Sequence, residues 1–372
     1  MHNCSQATLI KISRFSISLR EWLAIGTDTM LLSYTTVPMT TNAKRDIAYE
    51  SEWVAKAEAE MPPLLTGRLA SLLSEEHYAS ALHSFGAPKP VTFRANTLRA
   101  TEKEVLVEVK TAGMTSQPVP WCPSCHLLSD GTIRQLQGIP SAQSDGLYIQ
   151  AASSMLAGHA LQVEPEMCVL DMCAAPGSKT SQIAALMNNS GMLVANDRSR
   201  KRLYRLREVL QRQGATKTEV LCGPGERLGQ THADCFDRVL VDAPCSGEGR
   251  IRLEKPIRIA RWNMQEIRGL ARLQEQLLIA ALRCVRVGGM VVYSTCTFAP
   301  EENEFVLDKI LRKKNIDAKL VPVPTHLLPP LTMAPITSWL GKECTKDVSQ
   351  AVRIIPNATT TGFFISCIER LS

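Results

Sequence analysis

The chain has 372 residues, a net charge of +6, 45% hydrophobic residues and 21% charged residues. Those figures exclude a disordered or fibrous protein and fit one large domain with a smaller one, or two to three modest ones. No apolar stretch reaches about 18 residues, so no membrane span is expected; the 12 cysteines, scattered through apolar segments with no secretory segment ahead of them, read as reduced thiols of an intracellular, cytoplasmic protein.

The first twenty residues carry Lys11, Arg14, Arg20 and several serines with no acid. That composition resembles a weak organellar transit peptide, although a disordered extension fits better. Residues 1–60 are therefore expected to be an N-terminal extension, partly disordered, with a helix over 47–60. Met61-Pro62-Pro63 breaks the chain, and Leu65, Leu69, Leu72 and Leu73 predict a helix over 64–83. Val91–Thr97 alternates like a strand, and Thr101-Glu-Lys-Glu104 is a capping-box start for a helix over 102–111. This gives a small α+β domain over 61–146.

From Cys168 the pattern alternates between strand and helix. Strands are predicted at 168–172, 191–197, 219–221, 236–243 and 289–296. Helices are predicted at 179–187, 199–213, 268–286 and 301–314. Such alternation requires crossover connections and a parallel sheet, to which a terminal strand over 362–368 would add. Lys and Arg cluster in two runs, one from Arg198 through Arg200, Lys201, Arg202, Arg205 and Arg207, the other at Arg250, Arg252, Lys255, Arg258 and Arg261. Clustered cations suit a phosphate backbone, and the first run read alone is equally a solvated helix face.

The strand ending at Asp171 runs into Ala174-Ala175-Pro176-Gly177 and opens a helix. Small residues let a ligand approach the backbone, and the strand end at a switch point is where α/β sheets bind ligands. The string is neither a dinucleotide fingerprint nor a phosphate loop. Asp197, ending the next strand, suits a ribose diol. A nucleoside cofactor without a pyrophosphate follows, and S-adenosylmethionine fits.

Cys245, in Asp242-Ala-Pro-Cys245-Ser-Gly247, and Cys296, in Tyr293-Ser-Thr-Cys296-Thr297, each follow a short apolar run. Free cysteines are often merely buried. Two thiols at the ends of strands, one after Asp-Ala-Pro, instead suit covalent chemistry on an electron-poor ring. Carbon 5 of cytosine is a poor nucleophile until a thiolate adds to carbon 6, and a base must later take the carbon 5 proton. The chemistry wants a nucleophilic thiol, a carboxyl such as Asp242 near ring nitrogen 3, and a second base. The residues alone do not rank Cys296 and Cys245.

Asp171–Ser181 (DMCAAPGSKTS), Asp242–Gly249 (DAPCSGEG) and Tyr293–Asn303 (YSTCTFAPEEN) resemble the signature blocks of the Sun-type RNA cytosine-C5 methyltransferases, the NSUN or RsmB/RsmF family. Phe93–Leu98 resembles that family's RxNTL segment, Gly146–Leu156 the segment before the cofactor turn, Gly247–Pro256 its basic loop and Arg353–Phe364 its closing block. The likeness covers roughly residues 61–370. It implies an α/β fold: a Rossmann-like S-adenosylmethionine-dependent methyltransferase domain over 147–372 behind a small N-terminal α+β RNA-binding domain. It further implies that Cys173, Ala174, Ala175, Pro176, Gly177, Ser178 and Lys179 cradle the methionine part of S-adenosylmethionine. Asp197 would hold the ribose, and Asp242 would face the base beside the cofactor. Cys296 would be the nucleophile, and Cys245 would help release the product.

The chain departs from the pattern in its third block, Cys222-Gly-Pro-Gly-Glu226-Arg227, which lacks the usual Asp and leaves Glu226 or backbone groups to hold the adenine. Ala151 and Asn357 replace a usual Glu and His. Cys122-Pro-Ser-Cys125-His126 matches a haem-attachment string or half a zinc site, but no export segment and no second ligand pair accompany it, so it reads as structural. The expected function is formation of 5-methylcytosine in single-stranded or loop RNA by a monomer. Ribosomal RNA is preferred over transfer RNA because the blocks look most like bacterial ribosomal members. The rival reading is an RNA-binding assembly factor whose methylation is dispensable.

Overall fold

The computed structural model describes residues 43–89, 91–357 and 360–372; the question of a targeting segment in residues 1–40 lies outside them. Residues Ile47–Ser372 form one unit. The described elements begin with helices α1 (Ala43–Glu60), α2 (Pro63–Leu72) and α3 (Glu75–Gly86). The expected single helix over 64–83 is two helices. Leu73 is extended, and the Ser74 hydroxyl accepts from His77 N at 3.3 Å with Glu75 and Glu76 following, an N-cap that the unbroken leucine spacing obscures.

A four-stranded antiparallel sheet follows, built from β1 (Thr92–Ala95), β2 (Thr115–Pro118), β3 (Cys125–Asp130) and β4 (Leu147–Ile149) in the order β2-β3-β1-β4. Helix α4 (Glu102–Thr111) starts on the expected capping box, with Thr101 Oγ1 and Glu104 exchanging bonds across the first turn. Short helices α5 (Ile133–Gly138) and α6 (Pro140–Gln143) precede β4, so this sheet runs past Gly146 to Ile149.

The large sheet holds β5 (Cys168–Asp171), β6 (Met192–Asp197), β7 (Thr218–Cys222), β8 (Phe236–Asp242) and β9 (Val285–Thr295), all parallel, in the order β7-β6-β5-β8-β9. Around them run α7 (Ala152–Ala160), α8 (Ser178–Leu186), α9 (Arg200–Arg212), α10 (Leu228–Thr231), α11 (Pro256–Arg261), α12 (Met264–Cys284) and α13 (Glu304–Leu311). Beyond α13 come β10 (Ala318–Val321), β11 (Thr332–Met333), the hairpin β12 (Ser338–Trp339) and β13 (Lys342–Glu343), β14 (Val352–Ile354) and β15 (Phe363–Arg370). The terminal strand joins as expected, but antiparallel to β9, with Phe364 opposite Thr295, so the sheet is mixed. The expected helix over 301–314 is interrupted. A 3-10 turn spans Pro300–Glu302, and α13 begins only after Asn303, whose backbone is non-helical because its side chain is tied to Thr295 and Thr297.

Alternate residues of the central strands feed two cores on opposite faces of the sheet: Val169, Leu240 and Val292 on one face, Leu170, Val241 and Tyr293 on the other. Burial on both faces is why these strands read as continuous apolar runs. The chain leaves β5 to one side for β6 and returns to its other side as β8, so the crevice at the ends of β5 and β8 is a topological switch point.

Candidate active site

The carboxyl ends of β5, β6, β8 and β9 present Asp171, Asp197, Asp242 and Thr295 along one edge of the sheet. Between them and the residues leading into α7 lies a cleft of about 460 Å³, lined by Cys245, Cys296, Asp242, Arg250 and the cofactor turn. The two thiols meet in it: Cys245 Sγ lies 3.2 Å from Cys296 Sγ, and Cys296 N donates to Cys245 Sγ at 3.3 Å. Asp242 receives Lys179 Nζ at 2.8 Å and Ser294 Oγ at 3.0 Å, while Lys179 Nζ also donates to Ser154 Oγ at 2.9 Å. Lys179 thus sits on the carboxylate of Asp242, within 5.8 Å of the Phe363 ring centroid.

Electrostatics separate the thiols. The hydrogen bond from Cys245 lowers Cys296 to about 7 despite burial, with the Arg250 and Lys179 cations assisting. The same bond and burial push Cys245 well above the usual thiol range. Cys173, half-buried at the cleft wall, is also pushed well up by desolvation and by Asp171, Asp242 and Asp197, and stays a thiol.

In the cofactor turn, Cys173, Ala175, Pro176, Ser178 and Lys179 line the cleft. Ala174 and Gly177 are buried behind it. Ala174 N is fixed to Asn196 O at 2.8 Å. Gly177 has φ +111, and a Cβ there would lie 3.0 Å from Leu206 Cδ1, so the position excludes other residues. The Ala175–Pro176 peptide is cis. Asp171 is fully buried, accepts from Thr180 Oγ1 at 2.7 Å, and is raised by burial to about 7. Asp197 lies not in the cleft but in a smaller adjoining recess, with Asn196, Gly225, Glu226, Pro244 and Leu277. Its carboxylate already accepts from Ser199 N at 2.9 Å and Ala175 N at 3.3 Å, and pairs with Arg202 at 3.0 Å. Lone pairs remain for a diol.

Sequence reasoning missed what holds the two cysteine loops together. Glu302 is wholly buried and accepts from Ser246 N at 3.0 Å, Ser246 Oγ at 2.5 Å and Gln274 Nε2 at 2.8 Å. Burial raises it to about 7. Glu248, equally enclosed, accepts from Trp262 Nε1 at 2.9 Å, Thr297 Oγ1 at 3.0 Å and Phe298 N at 3.0 Å. Thr295 Oγ1 donates to Asn303 Oδ1 at 2.6 Å, and Arg353 pairs with Glu304 at 2.5 Å while donating to Phe298 O at 2.8 Å. Glu302 and Asn303, at the end of the Tyr293–Asn303 block, are therefore scaffold for the loops; acids clustered after a cysteine signalled it, without naming their partners.

The RxNTL-like segment also faces inward. Arg94 donates to Gln150 Oε1 at 3.0 Å and Ser181 Oγ at 2.9 Å, and Asn96 Nδ2 bonds Asp145 O and Gln213 O at 2.9 Å each, joining the small sheet to α8 and α9. Cys122 and Cys125 lie in the core as free thiols, His126 bonds Glu102 at 2.6 Å, and no metal-holding group of three ligands occurs among the described residues. No helix among them is long and apolar enough to cross a membrane.

Residues 158–369 match the family model described as 16S rRNA methyltransferase RsmB/F. The chain belongs to the RsmB/F methyltransferase family. It is 36% identical to the tRNA (cytosine(49)-C(5))-methyltransferase of Pyrococcus abyssi, over 82% of this chain and 95% of that protein. It is 40% identical to the ribosomal RNA small subunit methyltransferase F of Aeromonas salmonicida over 60% of this chain, and it spans about half that relative, 48%. A solved methyltransferase homologue from Pyrococcus horikoshii superimposes with a TM-score of 0.73 at 31% identity, covering 87% of this chain and 99% of that one. S-adenosylmethionine is the cofactor of the RsmB/F family, and the residues fit it. Asn196 lines the small recess with a buried Oδ1 that has no donor among the described residues, a place for an adenine amino group. Cleft and recess adjoin at Cys173 and Pro244, allowing one ligand to span both.

Proposed function

We propose that this protein is an RNA cytosine-C5 methyltransferase in which Cys296 is the nucleophile and Cys245 helps release the product. The observation that carries the reading is the thiol pair: two cysteines in contact, one with an acidified sulfur, beside a carboxylate on the cofactor edge of the sheet. Bound S-adenosylmethionine supplies an electrophilic methyl group. The cleft residues do the rest. Cys296 Sγ adds to carbon 6 of the ring, and Arg250 and Lys179 favour its thiolate. Asp242, oriented by Lys179 and Ser294, faces ring nitrogen 3 and supports the enamine that makes carbon 5 nucleophilic. Once carbon 5 carries a methyl group and Cys296 Sγ is bonded to the ring, Cys245 gives up its own S–H proton to solvent; its thiolate then takes the carbon 5 proton, the freed electron pair forms the carbon 5–carbon 6 double bond, and Cys296 leaves as a thiolate. The cytosine must leave its stack to enter the cleft, which suits single-stranded or loop RNA.

Cys173 and Ala175–Lys179 would hold the methionine part, Asp197 the ribose, and Glu226 with Asn196 the adenine. Relatives named for transfer RNA and for ribosomal RNA both match, so the size of the labelled RNA decides. A cytoplasmic monomer completes the reading, and light scattering checks the monomer.

Methyl-labelled S-adenosylmethionine and total RNA lacking the modification should yield labelled 5-methylcytidine. With Cys296→Ala the label should be lost while S-adenosylmethionine still binds. Cys245→Ala should leave a slow-migrating protein–RNA adduct on denaturing gels. Full activity in Cys296→Ala sinks the nucleophile assignment, and the absence of adduct sinks the release role. A wild-type protein that binds RNA without labelling it would return the weight to an assembly factor.

A further inference from the structure

The segment after Cys245 returns to Cys296 through Gly249, whose N donates to Cys296 O at 2.9 Å and whose O accepts from Gly362 N at 3.2 Å. Arg250 follows and lines the cleft with Cys296. Three residues on, Leu253 N donates to Phe85 O at 3.0 Å, which holds this segment against the end of α3. Just beyond that end stands Lys89. Its Nζ is buried and has no hydrogen-bond acceptor among the described residues. The charges it faces are Arg250 and Arg252, both repulsive, and burial with this repulsion lowers the lysine to about 8. Among the described residues Arg252 pairs with the exposed Glu254 at 2.9 Å. A buried ammonium beside two guanidinium groups is costly unless an anion completes it.

We propose that Lys89, Arg250 and Arg252 form a binding site for one backbone phosphate of the substrate RNA. The inference rests on the reading that the substrate is RNA. A nucleotide whose base reaches Cys296 carries its phosphate a sugar's length away, and Arg250 spans the two places. Lys89 comes from the connection between α3 and the small sheet, so the N-terminal helices supply part of the grip on the target nucleotide. Lys89 supplies the unpaired donor, and the two arginines supply planar forks for phosphate oxygens.

The test is salt-dependent binding of single-stranded oligocytidylate to the full chain and to Lys89→Met and Lys89→Arg. Neutralising one phosphate contact on a single strand contributes about 0.7 to the slope of log affinity against log salt. Lys89→Met should lower that slope by about 0.7 and weaken binding about tenfold, with S-adenosylmethionine affinity unchanged; Lys89→Arg should keep the wild-type slope. An unchanged slope and affinity in Lys89→Met overturns the site while leaving the RNA reading intact. A matching fall in S-adenosylmethionine affinity would make the lysine structural and also overturn it. If the wild-type protein binds no oligocytidylate at low salt, the RNA reading fails, and the site with it.

Discussion

At the scale of single residues, the site works by unequal treatment of like groups. Cys296 and Cys245 touch, yet one is acidified to about 7 and the other is held as a thiol. A nucleophile that must be a thiolate gives a rate that rises with pH through about 7 and levels off above it. We expect kcat/KM to follow that limb, and Arg250→Met to move it to higher pH because one acidifying cation is gone. A limb unmoved in the variant would remove Arg250 from that role. Cys296, Cys245, Asp242 and the cofactor turn were legible because they close strands in short distinctive strings. Their ranking is chemical only in three dimensions: the Cys245 hydrogen bond joins residues 51 positions apart. Lys89 was illegible for the same reason. A lone lysine between Pro88 and Pro90 carries no signal until Arg250 and Arg252 are brought beside it.

At the scale of elements, the loops carrying chemistry are braced by buried acids from the next turn of chain. Periodicity found most strands and helices because each has a face in a core. It failed where side-chain bonds override spacing, at the Ser74 cap and at Asn303, and it could not see that β15 runs antiparallel, since direction leaves no mark on an apolar run. The Arg353–Glu304 pair ties β14 to the start of α13, with both side chains nearly without solvent contact. Removing one member strands the other charge, so Arg353→Met should cost about 3–5 kcal/mol in chemical denaturation. Replacing both with apolar residues should recover part of that loss; no recovery would mean the pair supports the loop geometry in some other way.

At the scale of the whole molecule, every chemical group stands on one edge of one sheet, while its supports come from both ends of the described chain. Arg68 of α2 pairs with Glu301 at 2.8 Å, and α2 and α3 share a core with Ile251, Leu253 and Phe298 beside the cleft. At the other end, β15 pairs with β9 from Glu369↔Met290 to Phe364↔Thr295, and Gly362 packs so closely that a Cβ there would lie 2.5 Å from Phe298 Cζ. A chain stopped after residue 360 retains all the proposed catalytic residues and should nonetheless be inactive and prone to aggregate, which soluble yield and methyl transfer would measure; an active, soluble truncation would contradict this. On the ribosome the same pairing should act as a clock. The strand that leads into Cys296 stays an unpaired edge until some seventy further residues have been made and have emerged. The proposed nucleophile and the grip around it should therefore assemble only once β15 has emerged, and a nascent chain that ends between Cys296 and β15 should be chemically silent.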